Sequence, residues 1–259
     1  YRSWVLDQLA AWPAPGPSPF ILISGPTGTG KTLLLRRLEV VAPGSSVDLE
    51  ACADHRSSIL GAVGRSPVSQ AAFESRLAAR IELLGPPPWF IEAESRKVGD
   101  SVLPEPLWRA MREGWVVELG ALPETRVRIL VDDYLETPNA AAEIGERLPF
   151  LEERLGEGWS GRLMALLQAG RHGEIAALLL EHYYDPLYRH SGRNLIPRME
   201  LQAEDPARVE RLLAARAAWR ESAIAGDANP VELTQGSCAD SSELQVFPAA
   251  TLPLNSMKA

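Results

Sequence analysis

Residues 25–32 read Gly25-Pro26-Thr27-Gly28-Thr29-Gly30-Lys31-Thr32 and fit the spacing G-x-x-x-x-G-K-[ST]. No other stretch limits the fold so sharply. Its four fixed positions coincide by chance roughly once in 100 chains of this length at average residue frequencies. The flanks add to that specificity. Phe20-Ile21-Leu22-Ile23-Ser24 is a continuous apolar run, as in strands buried on both faces of a parallel sheet. After the motif, Leu34, Leu38 and Val41 repeat at helical spacing, and Pro43-Gly44 stops the helix. Between strand and helix, glycines permit backbone angles that a Cβ forbids, so main-chain N–H groups close around phosphate oxygens. The first helical turn adds unpaired N–H groups and a partial positive charge. Lys31 brings a point charge toward the terminal phosphate, and Thr32 offers a hydroxyl to Mg²⁺ if a metal is used. Such a cradle does not name a reaction: ATP, another diphosphate or a regulatory nucleotide would all suit it.

The chain beyond the motif alternates strand and helix. Ser46-Val47-Asp48-Leu49-Glu50 is the second strand expected, Trp89-Phe90-Ile91-Glu92 the third and Trp115-Val116-Val117-Glu118-Leu119 the fourth. Between them lie helical faces: Phe73, Leu77, Ile81 and Leu84, then Leu107 and Met111 after Pro104. A further helix starts at Pro123 and carries Val127, Leu130, Val131, Tyr134 and Leu135. This predicts an α/β, P-loop NTPase-like three-layer domain with a parallel sheet over residues 20–137. From Ala140 only helices are expected. Their stripes are Ile144, Leu148, Leu151 and Leu155; Leu163, Leu166 and Leu167; Ile175, Leu178 and Leu179; and Val209, Leu212 and Leu213. These make a helical C-terminal extension over 138–222. Residues 223–259 have no period and read as a disordered tail. Residues 1–19 read as a short helix followed by a stiff proline-rich linker. That opening, with Tyr1 rather than Met, suggests that something precedes it.

Charge and cysteine content narrow the function classes. Net charge is -8 and the pI is near 5.2, which argues against a surface that binds nucleic acid everywhere but leaves room for a local basic groove. Two cysteines, Cys52 and Cys238, imply no disulfide framework. No apolar run approaches the ~20 residues of a membrane span, and no secretory signal opens the chain. A reducing cytoplasm and no membrane partner are expected.

Ligands of open α/β sheets sit beyond the carboxyl ends of the strands. Asp48 and Glu50 end the second expected strand, and Glu92 and Glu94 the third. These four acids are the catalytic candidates: one facing the loop would hold Mg²⁺ or accept a proton. No apolar run ends in the single aspartate of a standard Walker B motif. His55-Arg56 and Arg96-Lys97 follow the same strands and are candidates for tRNA or phosphate contacts, since arginine grips phosphate with two prongs. Cys52, with no activating partner in view, reads as inert packing. Ser69 reads as a helix cap.

Together these stretches resemble the tRNA 2-selenouridine synthase family. The resemblance rests on GPTGTGKT, Asp48-Leu49-Glu50 with His55-Arg56, Ser69-Gln70-x-x-Phe73-Glu74, Glu94-Ser95-Arg96-Lys97-Val98-Gly99, Leu103-Pro104-x-x-Leu107-x-x-x-Met111 and Tyr183-Tyr184-Asp185-Pro186-Leu187-Tyr188, from about Tyr1 to Arg189. It implies conversion of wobble 2-thiouridine in tRNA to 2-selenouridine with selenophosphate, through an S-geranyl intermediate made from geranyl diphosphate. It also implies a rhodanese-like domain, in cis or in trans, bearing a reactive cysteine that neither Cys52 nor Cys238 matches. This chain alone would therefore not complete selenium transfer. The family's His-Arg-Gly-Ser reads His55-Arg56-Ser57-Ser58 here, and its Gln-Pro-Ser-Gln reads Pro67-Val68-Ser69-Gln70. Two other classes share the motif: a P-loop small-molecule or nucleoside kinase, which would consume ATP, and a non-catalytic phosphate- or tRNA-binding module.

Overall fold

A computed structural model describes residues 1–190 and 196–225. Its centre is a five-stranded, all-parallel sheet in the order β2 (Ser46–Val47), β3 (Trp89–Glu92), β1 (Phe20–Ser24), β6 (Trp115–Gly120) and β7 (Met199–Gln202). Strand β1 lies in the middle, between β3 and β6. All five β1 residues are buried. Phe20 and Leu22 face one apolar layer, with Val5 and Leu9 of α1 (Arg2–Ala11), Phe73 and Leu77 of α4 (Gln70–Glu82) and Leu107 and Met111 of α5 (Glu105–Arg112). Ile21 and Ile23 face the other layer, with Leu34, Leu35 and Leu38 of α2 (Lys31–Val41). Period-two alternation over the four apolar residues Phe20 to Ile23 thus builds two cores at once, each such side chain contributing about 1.5–3 kcal/mol. The three-layer expectation holds. On α2, Leu34 and Leu38 of the expected stripe are buried and Leu35 joins them, while Val41 is half exposed.

Two expectations are corrected. The second strand is only Ser46–Val47 (β2); Asp48, Leu49 and Glu50 do not extend it. The Asp48 carboxylate accepts the Ala51 N–H at 2.8 Å and caps a short helix, α3 (Leu49–Ala53). An aspartate that can satisfy an orphan N–H starts a helix more readily than it extends a strand. From Ala140 the chain is not helical throughout. Met199–Gln202 form β7, paired parallel to β6, and α11 (Arg208–Ala225) packs Val209 and Leu212 onto Leu119 and Leu201. Residues 199–225 therefore return to the sheet. Only Leu201 of this four-residue edge strand is buried, too little to leave an alternation in the sequence.

The intervening helices form a third apolar cluster. α6 (Pro123–Tyr134), α7 (Ala140–Leu155), α8 (Arg162–Gln168) and α9 (His172–Leu179) gather Ile144, Leu148, Leu151, Leu163, Ile175 and Leu179 over Leu60 and Val63. Glu152 of α7 accepts the N–H groups of Gly161, Leu163 and Met164 at 2.6–3.1 Å, closing the start of α8 with a negative charge. A π-helical turn, Leu180–Tyr184, leads into α10 (Asp185–His190). Among the described residues no helix is long and apolar enough to cross a membrane. The tail expected from 223 onward is helical to Ala225 and otherwise lies outside the described residues.

Candidate functional site

The glycine loop leaves the carboxyl end of β1 and turns into α2. Gly25 has φ +146°, and a Cβ there would stand 2.3 Å from the Leu119 carbonyl oxygen, so only glycine lets the loop lie this close to β6. Gly28 and Gly30 are left-handed, and Gly30 precedes the first turn of α2. Thr29 donates its hydroxyl to the Pro26 carbonyl at 3.0 Å. The Lys31 ammonium donates to the carbonyls of Gly25 at 2.8 Å and Pro26 at 3.1 Å, closing the loop on itself. The loop borders a cleft of about 360 Å³ walled by Thr27, Gly28, Lys31, Thr32, Glu50 and Glu92, with Ile129 and Tyr134 of α6 beyond.

Three of the four candidate acids meet here. Glu50, Glu92 and Glu94 place carboxylate oxygens within 4.8 Å of one another. The Thr32 hydroxyl lies 2.5 Å from Glu92 Oε1 and 3.2 Å from Glu50 Oε2. A hydroxyl has one proton, so both bonds form together only when one acid is protonated. Burial supplies the reason: it pushes the Glu92 carboxyl well above its ordinary range, with the Glu50 and Glu94 charges adding to it. Glu50 is raised to about 7 by burial first and the Glu94 charge second. Glu92 Oε2 is buried and has no hydrogen-bond partner. A carboxylate oxygen left this way is the mark of a group built to meet a cation or proton. The Thr32 hydroxyl and the three glutamates thus fit a divalent cation. Asp48 does not join them; it caps α3 and pairs with Arg36 at 3.5 Å.

The four basic candidates separate. Arg56 is buried, and its guanidinium donates to both Asp133 carboxylate oxygens, the Asp133 carbonyl and the Val63 carbonyl at 2.5–3.2 Å, over the Tyr134 ring. Four of its five N–H donors are so engaged, so it braces the loop and keeps a single N–H at the edge of the cleft. Arg96 pairs with Glu105 at 2.7 Å and lines neither cleft at the loop. Lys97 lies on β4 (Lys97–Val98) of a two-residue hairpin with β5 (Ser101–Val102), which the sequence reading missed. Its turn needs Gly99, whose φ is +58° and where a Cβ would stand 2.7 Å from the His55 ring. His55 borders both clefts, and burial lowers its pKa.

Residues 18–218 match the family described as the tRNA 2-selenouridine synthase AAA domain. The chain belongs to this family. Among its curated relatives, a tRNA 2-selenouridine synthase of Pseudomonas fluorescens is 32% identical, covering 82% of this chain and 63% of the relative. Those of Marinobacter nauticus and Pseudomonas syringae are 35% and 33% identical, covering 72% and 85% of this chain. The chain spans 57–66% of the length of these three relatives.

The synthase-family motifs find places around the loop. The Tyr183–Tyr188 segment docks beneath it: Asp185 pairs with Arg126, whose Nε donates to the Thr27 carbonyl at 2.8 Å, and the Tyr188 hydroxyl bonds Glu118 at 3.0 Å. Sequence reasoning noted the motif without a role, and it missed Arg126, whose helix was read only for its apolar face. The two departures from the family pattern are accommodated. Ser57 keeps a negative φ, so no glycine is required, and its N–H donates to Glu50 Oε1 at 2.7 Å. Ser69 caps α4, and the Gln70 amide pairs with both backbone groups of Val102 at 2.8 and 2.9 Å.

Proposed function

We propose that this chain is the diphosphate-binding part of an enzyme that converts wobble 2-thiouridine of tRNA to 2-selenouridine through a geranylated intermediate, and that Gly25–Thr32 hold the diphosphate of geranyl diphosphate. One juxtaposition carries the reading. The phosphate-loop cleft adjoins an apolar pocket of about 50 Å³ through Leu130 and Tyr134, walled further by Leu60, Ile144, Ile175 and Leu179. The pocket admits only the first carbons of such a chain as it stands, yet an ionic cradle beside an apolar wall suits an allylic diphosphate better than a nucleotide, whose base and ribose need polar partners.

In the reaction, the thiocarbonyl sulfur attacks C1 of the geranyl group. The C–S bond forms as the C1–O bond breaks, and the electron pair leaves with the diphosphate. Lys31 exchanges its loop carbonyls for diphosphate oxygens, and the α2 N-terminus stabilises the same developing charge. The N3 proton of the alkylated base goes to Glu94, which borders both clefts. Thr32, Glu50 and Glu92 would hold Mg²⁺, which when bound adds charge neutralisation to the leaving group. The selenium of selenophosphate then adds at C2, the C–S bond breaks with departure of geranylthiol, and water takes the phosphoryl group from selenium as phosphate; a rhodanese-like domain in cis or trans would provide the reactive cysteine. The cytoplasm, where tRNA is modified, is the matching compartment. A kinase would need a cationic lid over ATP; the helices after Tyr134 close instead as an apolar cluster.

The test is Lys31→Ala in the full-length enzyme, with tRNA nucleosides read by mass spectrometry. S-geranyl-2-thiouridine should disappear. Unchanged geranylation would remove the loop from the mechanism, and tRNA binding without any turnover in the wild type would favour a non-catalytic module.

A further inference from the structure

A second cleft, of about 650 Å³, opens on the other flank of the loop and shares Lys31, His55 and Glu94 with the first. Its wall differs in chemistry. Phe150 is 48% exposed, on a helix that buries Ile144, Leu148 and Leu151. The Arg154 guanidinium lies 4.7 Å from the Phe150 ring centre and donates to the Tyr183 hydroxyl at 3.2 Å. Lys97 borders the same space. Most arginines near the loop are tied to acids: Arg56 and Arg65 to Asp133, Arg96 to Glu105 and Arg126 to Asp185. Among the described residues, Arg154 and Lys97 have no acidic partner. Two cations without an acid thus stand beside the half-exposed Phe150 ring and the partly buried Tyr183.

We infer that this cleft takes one unpaired RNA nucleotide, its base stacked on the wall of Phe150 and Tyr183 and its flanking phosphates on Arg154 and Lys97. The inference rests on the reading of RNA as substrate, and it assigns residues that the phosphate-loop argument does not use. Aromatic faces stack any base, and unpaired cations neutralise backbone phosphates, the combination by which proteins hold single-stranded nucleic acid. A cleft of about 650 Å³ has room for one nucleotide turned out of its loop. Because Lys31 and Glu94 belong to both clefts, the edge of that base would meet the leaving group held by the phosphate loop.

Fluorescence anisotropy with a labelled anticodon stem-loop RNA, and with a fully paired hairpin stem as control, tests this. The wild type should prefer the stem-loop. The double variant Lys97→Ala/Arg154→Ala should bind it more weakly by about tenfold or more and lower the slope of log K against log salt by about 1.4, for two lost phosphate contacts. Phe150→Ala should weaken it by about tenfold with the salt slope unchanged. These side chains are solvent-facing, so melting temperatures should stay put. Calorimetric binding of inorganic pyrophosphate should be the same in all of these proteins and be lost in Lys31→Ala. Stem-loop affinity unaffected by the substitutions, absent from the wild type, or matched by the paired stem would overturn the inference. Failure of the wild type to bind pyrophosphate, with the RNA results as expected, would strike the phosphate-loop reading and leave this one standing.

Discussion

Asp185 receives both terminal nitrogens of Arg126, at 3.0 and 2.6 Å, while the Nε of the same arginine holds the Thr27 carbonyl at 2.8 Å. A residue of α10 thus reaches the phosphate loop through one side chain of α6. Both partners are mostly buried, so the pair is fixed in geometry. Asp185→Ala would leave a guanidinium uncompensated beneath the loop. It should lower stability by about 2 kcal/mol in chemical denaturation and weaken pyrophosphate binding by about tenfold in calorimetry. Unaltered binding at reduced stability would mean that the contact holds the helices together without shaping the loop.

The sheet and loop were legible in the sequence because their signals are local. An unbroken apolar strand, a glycine pattern and a helical stripe each lie within a dozen residues, and β1, β3 and β6 form as expected. Glu50, Glu92 and Glu94 were legible as acids near strand ends, although Glu50 arrives on a helix that Asp48 starts. What stayed hidden depends on distant partners. Arg56 looked like a ligand for phosphate because Asp133, 77 positions away, gives no local sign of claiming it. Strand β7 exists because β6 offers an unpaired edge, and one buried leucine is its whole sequence trace.

Arg56→Ala should act on folding rather than on RNA. It removes several hydrogen bonds and leaves Asp133 only the longer contact to Arg65 at 3.6 Å, a change worth about 3 kcal/mol. The melting temperature should drop while the stem-loop affinity of the folded protein, measured well below that temperature, stays at the wild-type value. A selective loss of RNA binding with normal melting would return Arg56 to the contact surface.

Cys52 should be chemically silent. It is buried, and burial first, with the Asp48 charge second, pushes its thiol up to about 12 from 9.0. Three units less thiolate predicts alkylation by iodoacetamide about 1,000-fold slower than for an ordinary exposed thiol. Cys238 lies outside the described residues, so the rate should be followed in a Cys238→Ser protein. Labelling should become fast only in denaturant. Rapid labelling of the native protein would instead make Cys52 a candidate for sulfur or selenium chemistry.

The buried acids should make stability fall as pH rises. Glu50 binds its proton more tightly folded, near 7, than unfolded, near 4.5, and Glu92 is shifted in the same direction. Between these values the native state holds more protons than the unfolded one, so the stability conferred by protonation is complete below about 4.5 and lost as pH passes about 7. The double variant Glu50→Gln/Glu92→Gln keeps hydrogen-bonding amides and cannot ionise. From about pH 5 to about pH 8 the wild type should lose on the order of 2 kcal/mol relative to it. Millimolar Mg²⁺ should restore that loss at the alkaline end in the wild type alone, because the cation binds ionised carboxylates of the folded state. Parallel pH profiles for the two proteins would show that the acids are already neutralised by other means. Equal stabilisation of both by Mg²⁺ would place its binding elsewhere.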